Sequence, residues 1–302
     1  MAIQREIWER SIVENLFAED SFLSKAFSAD EYVNQGRVVH IPQAGAPSNV
    51  VKNRSEKPAS VKQRTDTDLT FELSEFTTDP IYIPHADTVE LSYNKRESVL
   101  RNDKLQLADV VAKDFLYGWS PSAKNTISTT GEGVAAGVHA TATGTRKAIT
   151  RQDIFKLMTH FNRQNIPQEG RYLLLDADMY SQLLQAMTQQ EATAFHALAN
   201  LSQGVMGKFL SFNIMQRSEA GLYTAAGAPK SWSTAAAATD LAAGLAWHEQ
   251  SVVRALGEVR AFENEGDPTW YGDIYSFLVR AGGRIRRADE KGVVALIQGT
   301  TA

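Results

Sequence analysis

The sequence has no cysteine, which removes several classes of structure and chemistry at once. Without a thiol the chain can form no disulfide, no cysteine nucleophile and no cysteine-ligated zinc site. The absence also fits a reducing compartment, where proteins rarely rely on disulfides. With 302 residues, the chain is nevertheless long enough to bury a substantial hydrophobic core.

Long apolar runs are missing as well. The N-terminal stretch MAIQREIWERSIVENLF carries charged residues between Arg5 and Arg10, so it lacks the apolar centre of a signal peptide. The alanine-rich segment 234–247 is interrupted by Asp240 and stays short of the roughly 18 apolar residues of a membrane-spanning helix. The sequence therefore predicts neither a secretion signal nor a membrane partner.

The chain also lacks an excess of positive charge. Lysine and arginine together number 31, aspartate and glutamate 35, and the net charge is −4. A protein that holds nucleic acid through its phosphates usually carries a basic excess. The balance argues against sequence-specific DNA binding, although it leaves room for a local basic face.

One local basic cluster lies near the C-terminus. It consists of Arg280, Arg284, Arg286 and Arg287. The cluster could contact phosphates or a neighbour's carboxylates, or it could be a solvated strand face that nearby acidic residues partly balance. Clusters of one sign are weak functional indicators. The solvated face is therefore favoured, and the choice between DNA and a neighbouring subunit stays open.

Motifs for catalysis and for metal or cofactor binding are absent too. The six histidines (40, 85, 139, 160, 196 and 248) show no metal-ligand spacing. Asp176 and Asp178 follow an apolar strand pattern and are explained by capping of the next helix. In GVMGKF, Phe209 stands where a phosphate-binding loop needs serine or threonine. We predict no catalytic, metal or cofactor-binding residues; the alternative is a small hydrolase using one of the histidines, which a deep polar pocket would indicate.

What is present is a globular composition, 43% hydrophobic and 22% charged, with a length that suggests about two domains. Residues 94–117 form the longest helical pattern, and Leu107 and Val111 lie on its apolar face. Lys104 and Asp109 are expected on its polar side. Strand patterns occur in both halves of the chain with helices between them, so the predicted class is mixed α+β.

The segment NVVKNRSEKPASVKQRTDTDLTFEL, residues 49–73, combines two patterns. Its first part is polar and basic, with too little apolar surface to fold on itself. Its last part alternates strictly, with Leu69, Phe71 and Leu73 on one face, as in a half-buried strand. Such a segment needs contacts outside its own domain to become ordered.

Several longer segments resemble tailed-bacteriophage major capsid proteins of the Hong Kong type, whose fold is shared with encapsulin shells. They are YNKRESVLRND before the long helix, TTGEG followed by GTRKAITRQDIFKL, GRYLLLDADMYSQLL, GKFLSFNIMQRS and DPTWYGDIYSFLVRAGGRIRRADEKGVVAL. Together they cover most of the chain. Their order and spacing carry the resemblance, since none of them is an active-site signature.

The resemblance implies an α+β Hong Kong-type phage capsid fold with an N-terminal arm, an extended β-loop, a spine helix, a peripheral domain and an axial domain. The expected division is the arm at 1–47, the extended loop at 48–78, the peripheral domain at 79–148 with the spine helix at 94–117, the axial domain at 149–257, and the return to the peripheral domain at 258–302. The chain begins directly at the arm, without the scaffolding segment that some relatives carry. Scaffolding is therefore expected from a separate protein.

The implied function is that of a major capsid protein, which self-assembles as hexamers and pentamers into an icosahedral shell around a double-stranded DNA genome. It would be a structural protein of the virion without cofactor, assembled in the host bacterial cytoplasm. Its partners would be copies of itself, a scaffolding protein and a portal, and it would enclose DNA without sequence-specific binding. An encapsulin-like compartment around a cargo enzyme is the alternative within the same fold.

In such a shell, residues 49–73 are predicted to form a two-stranded arm laid across an adjacent subunit of the same capsomer. The apolar contacts would come from Leu69, Phe71 and Leu73. The basic residues expected to meet carboxylates on the neighbour are Lys52, Arg54, Lys57, Lys62 and Arg64. The alternative for this segment is a disordered surface loop.

Overall fold

The computed structural model describes residues 9–14, 16, 20–34, 37–43, 50–55, 58, 61, 67–84 and 95–300. Within these residues the α-helices are α1 (Lys95–Trp119), α2 (Arg151–Arg163), α3 (Ala177–Ala186) and α4 (Gln189–Ala197). Residues 9–14 are helical as well, and short 3₁₀ helices occur at Ser21–Lys25, Asp30–Tyr32, Ala123–Asn125 and Leu201–Gln203. No helix in this described part is both long and apolar enough to cross a membrane.

The larger of two main sheets has seven strands, six of which come from the second half of the chain. In spatial order they are β11 (Val205–Phe209), β12 (Phe212–Gln216), β10 (Arg171–Leu175), β14 (Leu241–His248), β17 (Val293–Ile297) and β7 (Thr126–Ser128), with β13 (Gly221–Tyr223) also paired to β14. All eight residues of β14 are buried, as expected for a central strand with neighbours on both edges.

The second main sheet has five strands and is dominated by one long hairpin. Its order is β1 (Phe27–Ser28), β15 (Val252–Asp267), β16 (Gly272–Ile285) and β5 (Ser74–Thr77), with β6 (Ile81–Pro84) paired to the other end of β16. Two small sheets complete the fold: β2 (Val33–Asn34), β3 (Val38–Gln43) and β4 (Thr67–Glu72) form one, and β8 (Gly133–Ala135) pairs with β9 (Thr145–Lys147). The mixed α+β class is confirmed.

Helix α1 is the predicted spine helix, and its apolar stripe packs on the five-stranded sheet. Leu107, Val111 and Phe115 are buried in one core cluster with residues of β16. The helix end lies very close to the sheet, because a Cβ on Gly118 would overlap the carbonyl oxygen of Gly283. Glycine at both positions therefore lets the helix backbone lie directly on β16.

The predicted polar side of this helix is only partly correct. Asp109 is half-exposed and pairs with Arg217 and Lys113, as expected for a polar position. Lys104, however, is buried: its Nζ donates to Ser11 Oγ at 2.7 Å and lies 5.6 Å from the centre of the Phe277 ring. The N-terminal helical residues cover this side of α1, and no pattern within residues 94–117 could have revealed that cover.

We expect Leu107→Ala to lower the free energy of unfolding by about 2–5 kcal/mol, because it removes a buried side chain from a packed core. Urea unfolding monitored by tryptophan fluorescence would measure the loss. Gln106→Ala, at the exposed neighbouring position of the same helix, is the matched control. Equal unfolding midpoints for Leu107→Ala and the wild type would show that this face does not stabilise the core.

A second core lies between the seven-stranded sheet and helices α2, α3 and α4. Two of these helices begin at a capping residue, and the cap at Asp176 is the one that the sequence predicted. Thr150 and Asp153 form a reciprocal capping box at the start of α2. Asp176 caps α3 by accepting a hydrogen bond from the Met179 N–H at 2.6 Å.

Sheet membership joins segments that the expected domain division separates. Strands β7 and β17 come from the stretches assigned to the peripheral domain, yet they pair within the seven-stranded sheet beside the axial strands β10 and β14. Since hydrogen-bond ladders define sheets rather than domains, the division itself stays a prediction. The chain contributes β7 to the seven-stranded sheet before α2 begins, and it contributes β17 to the same sheet near its C-terminal end.

Candidate assembly surfaces

The segment singled out by the sequence is the distal part of a hairpin. Strands β3 and β4 pair antiparallel in continuous register from Val38 opposite Glu72 to Gln43 opposite Thr67. The predicted returning strand is therefore present. Its partner β3 lies within the stretch assigned to the arm, so the paired part of the hairpin begins earlier than residue 48.

The apolar face of β4 contacts its own subunit at the base of this hairpin. Leu73 is buried in a small cluster with Val39, Ile41 and Val253. Leu69 packs against the same cluster and stays partly exposed. Phe71 is placed in the same way as Leu69. Leu73 therefore belongs to the chain's own core, and contact of Leu69 and Phe71 with a neighbour stays a prediction.

The connection between β3 and β4 carries the basic residues. Lys52 and Arg54 are exposed, and among the described residues neither has an ion-pair partner. Val50 and Val61 in the same connection are 98% and 97% exposed. Lys57, Lys62 and Arg64 lie outside the described residues. The described part of the connection thus presents its side chains to solvent rather than to its own subunit.

The basic cluster near the C-terminus is engaged within the chain. Arg280 pairs with Glu75 across the sheet at 2.8 Å, and Arg284 donates to the Thr70 carbonyl at 3.1 Å. The two remaining members also have partners: the Arg286 guanidinium lies 4.6 Å from the centre of the Phe27 ring, and Arg287 pairs with Asp289 at 2.7 Å. Intrachain contacts therefore account for all four side chains.

A cleft of about 430 Å³ separates α1 from the seven-stranded sheet and its loops. Its walls include Tyr117 and Trp232, and the Trp232 indole N–H donates to Asp114 Oδ1 at 3.3 Å. Ion pairs bridge its rim, where Lys113 binds Asp109 at 3.0 Å and Glu219 at 3.1 Å. Many of the cleft's charged groups are thus paired with each other.

Asp176 lines this cleft, and the pKa of its carboxyl group is raised. Burial raises its pKa from 3.8 to about 6, and the nearby Asp178 adds to the rise, while the hydrogen bond from the Met179 N–H opposes it. The folded chain therefore binds this proton more tightly than the unfolded chain does. The stability that results is complete below about pH 4 and is lost as the pH rises through about 6.

We expect Asp176→Asn to remove this pH dependence, because asparagine keeps a capping oxygen but carries no charge. A rise from 3.8 to about 6 corresponds to at most roughly 3 kcal/mol, so the variant should gain up to that amount over the wild type between pH 4 and pH 7.5. Urea unfolding at several pH values measures the difference, with Asp79→Asn in an exposed loop as control. A constant difference across this range would contradict the raised pKa.

The described histidines have structural partners. His40 pairs with Asp68, His139 with Asp240 and Thr141, His160 with Gln164, His196 with the Phe195 ring, and His248 with the Gln250 N–H. His139 also lines the cleft, but contacts occupy both of its ring nitrogens. His85 lies outside the described residues.

Asp240 is a buried polar centre that the sequence did not single out. Its Oδ2 accepts hydrogen bonds from Lys230 Nζ at 2.5 Å, the Ala237 N–H at 2.8 Å and, at 3.3 Å, His139 Nε2. Burial alone would raise the pKa of this carboxyl, but these hydrogen bonds hold it below its usual value. These hydrogen bonds fix the loop between β13 and β14, so the buried Asp240 carboxylate has a structural role.

Within the described part of the chain, no three His, Asp or Glu side chains are grouped so that they could hold a metal ion. The expectation that the protein has no metal or cofactor stays a prediction.

Comparison with known proteins gives a match in structure rather than in sequence. No protein-family model matches the chain, and no curated protein matches it. Solved structures do match. The capsid structure of the Cyanophage P-SCSP1u covers 92% of this chain and 87% of its own, with a TM-score of 0.62 and 16% identity.

Two further structures agree with this match. The capsid of Ralstonia phage GP4 covers 92% of this chain and 88% of its own, with a TM-score of 0.63 and 13% identity. The head structure of Helicobacter pylori bacteriophage KHP40 covers 94% and 91%, with a TM-score of 0.62 and 13% identity. The similarity extends over almost the whole chain in each case, so the protein has the Hong Kong-type fold of these phage capsid chains.

Proposed function

We propose that this chain is a major capsid protein, many copies of which assemble as hexamers and pentamers into the icosahedral shell of a tailed double-stranded DNA phage. The observation that carries the proposal is the fold shared with chains from the capsids or heads of several phages over about nine tenths of this chain. Because one fold can serve several functions, an observation other than the fold is also needed. The exposed hydrophilic connection between β3 and β4 provides separate support, because it lacks a core of its own and suits contact with a neighbour.

The charge distribution fits a shell that encloses DNA without gripping it. The net charge is −4, and the arginine cluster near the C-terminus is engaged in internal contacts. A wall that bound DNA tightly would hinder filling and ejection of the genome. The proposal also includes a non-enzymatic role in the virion and assembly in the host bacterial cytoplasm. Its further partners would be a separate scaffolding protein and a portal.

Negative-stain electron microscopy of the expressed protein tests this function directly. Closed shells, tubes or capsomer rings are the expected result. In closed particles each subunit should bury well over ~1,600 Å² of accessible surface against its neighbours, which is the area of a standard interface. A monodisperse small species that turns over an ester or peptide substrate would overturn the proposal in favour of the hydrolase. Shells that form around a cargo enzyme instead of DNA would point to the encapsulin-like alternative.

A further inference from the structure

The cleft of about 430 Å³ beside α1 has the size of a site for a small molecule. Residues of α1 form one wall. The other walls come from residues 137–139, the start of α3, residues 218–222 and the loop between β13 and β14. Because these walls belong to separate parts of the chain, a molecule bound in the cleft contacts α1 and the seven-stranded sheet at once.

Both lysines that line the cleft are already paired with carboxylates. Lys113 binds Asp109 at 3.0 Å and Glu219 at 3.1 Å. Lys230 binds the buried Asp240 at 2.5 Å. Neither lysine is therefore free to balance a further negative charge in the cleft.

Two more carboxylates line the cleft at the start of α3. Among the described residues, no lysine, arginine or histidine forms an ion pair with Asp176 or Asp178. Asp176 is buried, and backbone N–H groups in the first turn of α3 are its hydrogen-bond donors. A Cβ on Gly137 would lie 2.5 Å from Asp178 Oδ2, so the glycine leaves room for this carboxylate in the cleft wall.

The helix itself balances only part of this negative charge. The dipole of α3 places about half a positive charge at its N-terminus, which is too little for two carboxylates. Burial, and then the charge of Asp178, raise the pKa of Asp176 to about 6, as expected for a carboxyl group without a cationic neighbour. The closed end of α3 in the cleft thus favours a ligand that brings positive charge.

Two aromatic side chains of the cleft are available for contact with a ligand. Tyr117 is 42% exposed and Trp232 is 41% exposed. The Trp232 N–H donates to Asp114 Oδ1 at 3.3 Å, and the loop that carries the indole is fixed by the Ala237 N–H, which donates to Asp240 at 2.8 Å. Aromatic faces attract ammonium groups. A wall that is already ordered loses little conformational entropy when it binds.

We propose that the cleft binds a short organic amine with two or more ammonium groups, an alkyl diamine or a polyamine. One ammonium group pairs with the Asp176 and Asp178 carboxylates through charge-assisted hydrogen bonds. The alkyl chain and a second ammonium group contact the rings of Tyr117 and Trp232. A metal ion is a poorer occupant, because no three His, Asp or Glu side chains of the described residues are grouped to hold one.

Isothermal titration calorimetry of the full chain with putrescine and with spermidine tests this site. Both amines should bind saturably and more tightly than butylamine, which has a single ammonium group. Magnesium chloride and butanol are the ligand controls, and neither should compete with putrescine at equal concentration. Absence of saturable binding by either polycation would overturn the inference. It would leave the capsid function untouched, because the proposed site lies within one subunit.

Carboxylate variants locate the bound amine. Asp178→Asn should weaken the binding of putrescine by roughly tenfold or more, since it removes a charged hydrogen-bond acceptor. Asp79→Asn removes an exposed carboxylate elsewhere and should leave the affinity unchanged. Circular dichroism checks that both variants are folded. If the two variants bound putrescine equally well, the amine would be held by the general negative charge of the chain, and the proposal would be wrong.

A tryptophan variant tests the aromatic wall. Trp232→Leu keeps an apolar side chain but removes the π face, so it should weaken the binding of putrescine by roughly threefold to tenfold. Trp270→Leu, at an exposed tryptophan that does not line the cleft, is the matched control. Equal affinities of these two variants would overturn the assignment of an organic amine to the cleft.

Discussion

Arg171→Ala is expected to lower the free energy of unfolding by about 3–5 kcal/mol, since it removes a fully buried guanidinium and leaves one buried and three partly buried hydrogen bonds without their donor. Arg171 is fully buried at the start of β10. Its guanidinium donates to the Ile166 carbonyl at 2.6 Å and the Pro167 carbonyl at 2.7 Å. It also donates to Asn162 Oδ1 and Ser211 Oγ, each at 2.9 Å.

The position of the charge explains why the loss should be large. No carboxylate among the described residues pairs with Arg171; the guanidinium lies instead over the rings of Phe161 and Phe212, at 5.4 and 5.9 Å from their centres. Its acceptors come from the end of α2, the chain that follows it and the β11–β12 turn. Arg171 thus ties the stretch that joins α2 to β10 to the β11–β12 turn, and a smaller side chain would leave a cavity as well.

Two further variants separate the contributions at this site. Arg171→Lys keeps the charge but lacks the fork of five donors, so it should recover only a minor part of the loss. Arg163→Ala, an exposed arginine at the end of α2, should change stability by less than about 0.5 kcal/mol. Urea midpoints at constant m value measure all three. If Arg171→Ala unfolded together with Arg163→Ala, the network around Arg171 would contribute nothing.

The elements that the sequence predicted correctly are those with local signals. The apolar stripe of α1 and the cap at Asp176 depend on residues within a few positions of each other. The continuous apolar run of RYLLL likewise identified β10 as a buried strand. In each case the physical cause of the structure lies inside the segment itself.

The features that could not be predicted depend on partners distant in the chain. Lys104 is buried because residue 11 reaches it, and Arg171 looks like an ordinary polar residue at a strand start until Ser211 is placed beside it. The pairing of β7 with β17 brings together residues about 170 positions apart. No spacing rule in a single sequence encodes such contacts.

The candidate contact surfaces divide in the same way. Alternation in TDLTFEL was enough to place Leu69 and Phe71 on one face of β4. The exposure of the β15–β16 turn was hidden in the sequence, because Trp270 and Tyr271 resemble core residues as much as exposed ones. Only the turn geometry set by Asp267 shows that both side chains point away from the sheet.

The second large effect is expected from charge reversal in the connection between β3 and β4. Lys52→Glu combined with Arg54→Glu should leave the subunit folded, because both side chains are exposed, and should prevent shell assembly at low salt. A single exposed ion pair is worth only about 0.2–1 kcal/mol. Reversal, however, turns attraction into repulsion, and the symmetry of a shell repeats that change at every subunit.

Salt and charge provide the controls for this last prediction. Raising the ionic strength from about 0.1 M to 1 M shortens the screening length from about 10 Å to 3 Å, so part of the assembly should return in high salt. Lys124→Glu with Lys208→Glu changes the net charge equally at other exposed positions and should assemble normally. Light scattering and sedimentation measure assembly. If the variant with Lys52→Glu and Arg54→Glu forms shells as readily as the control pair at low salt, the basic residues of the connection make no contact that matters for the shell.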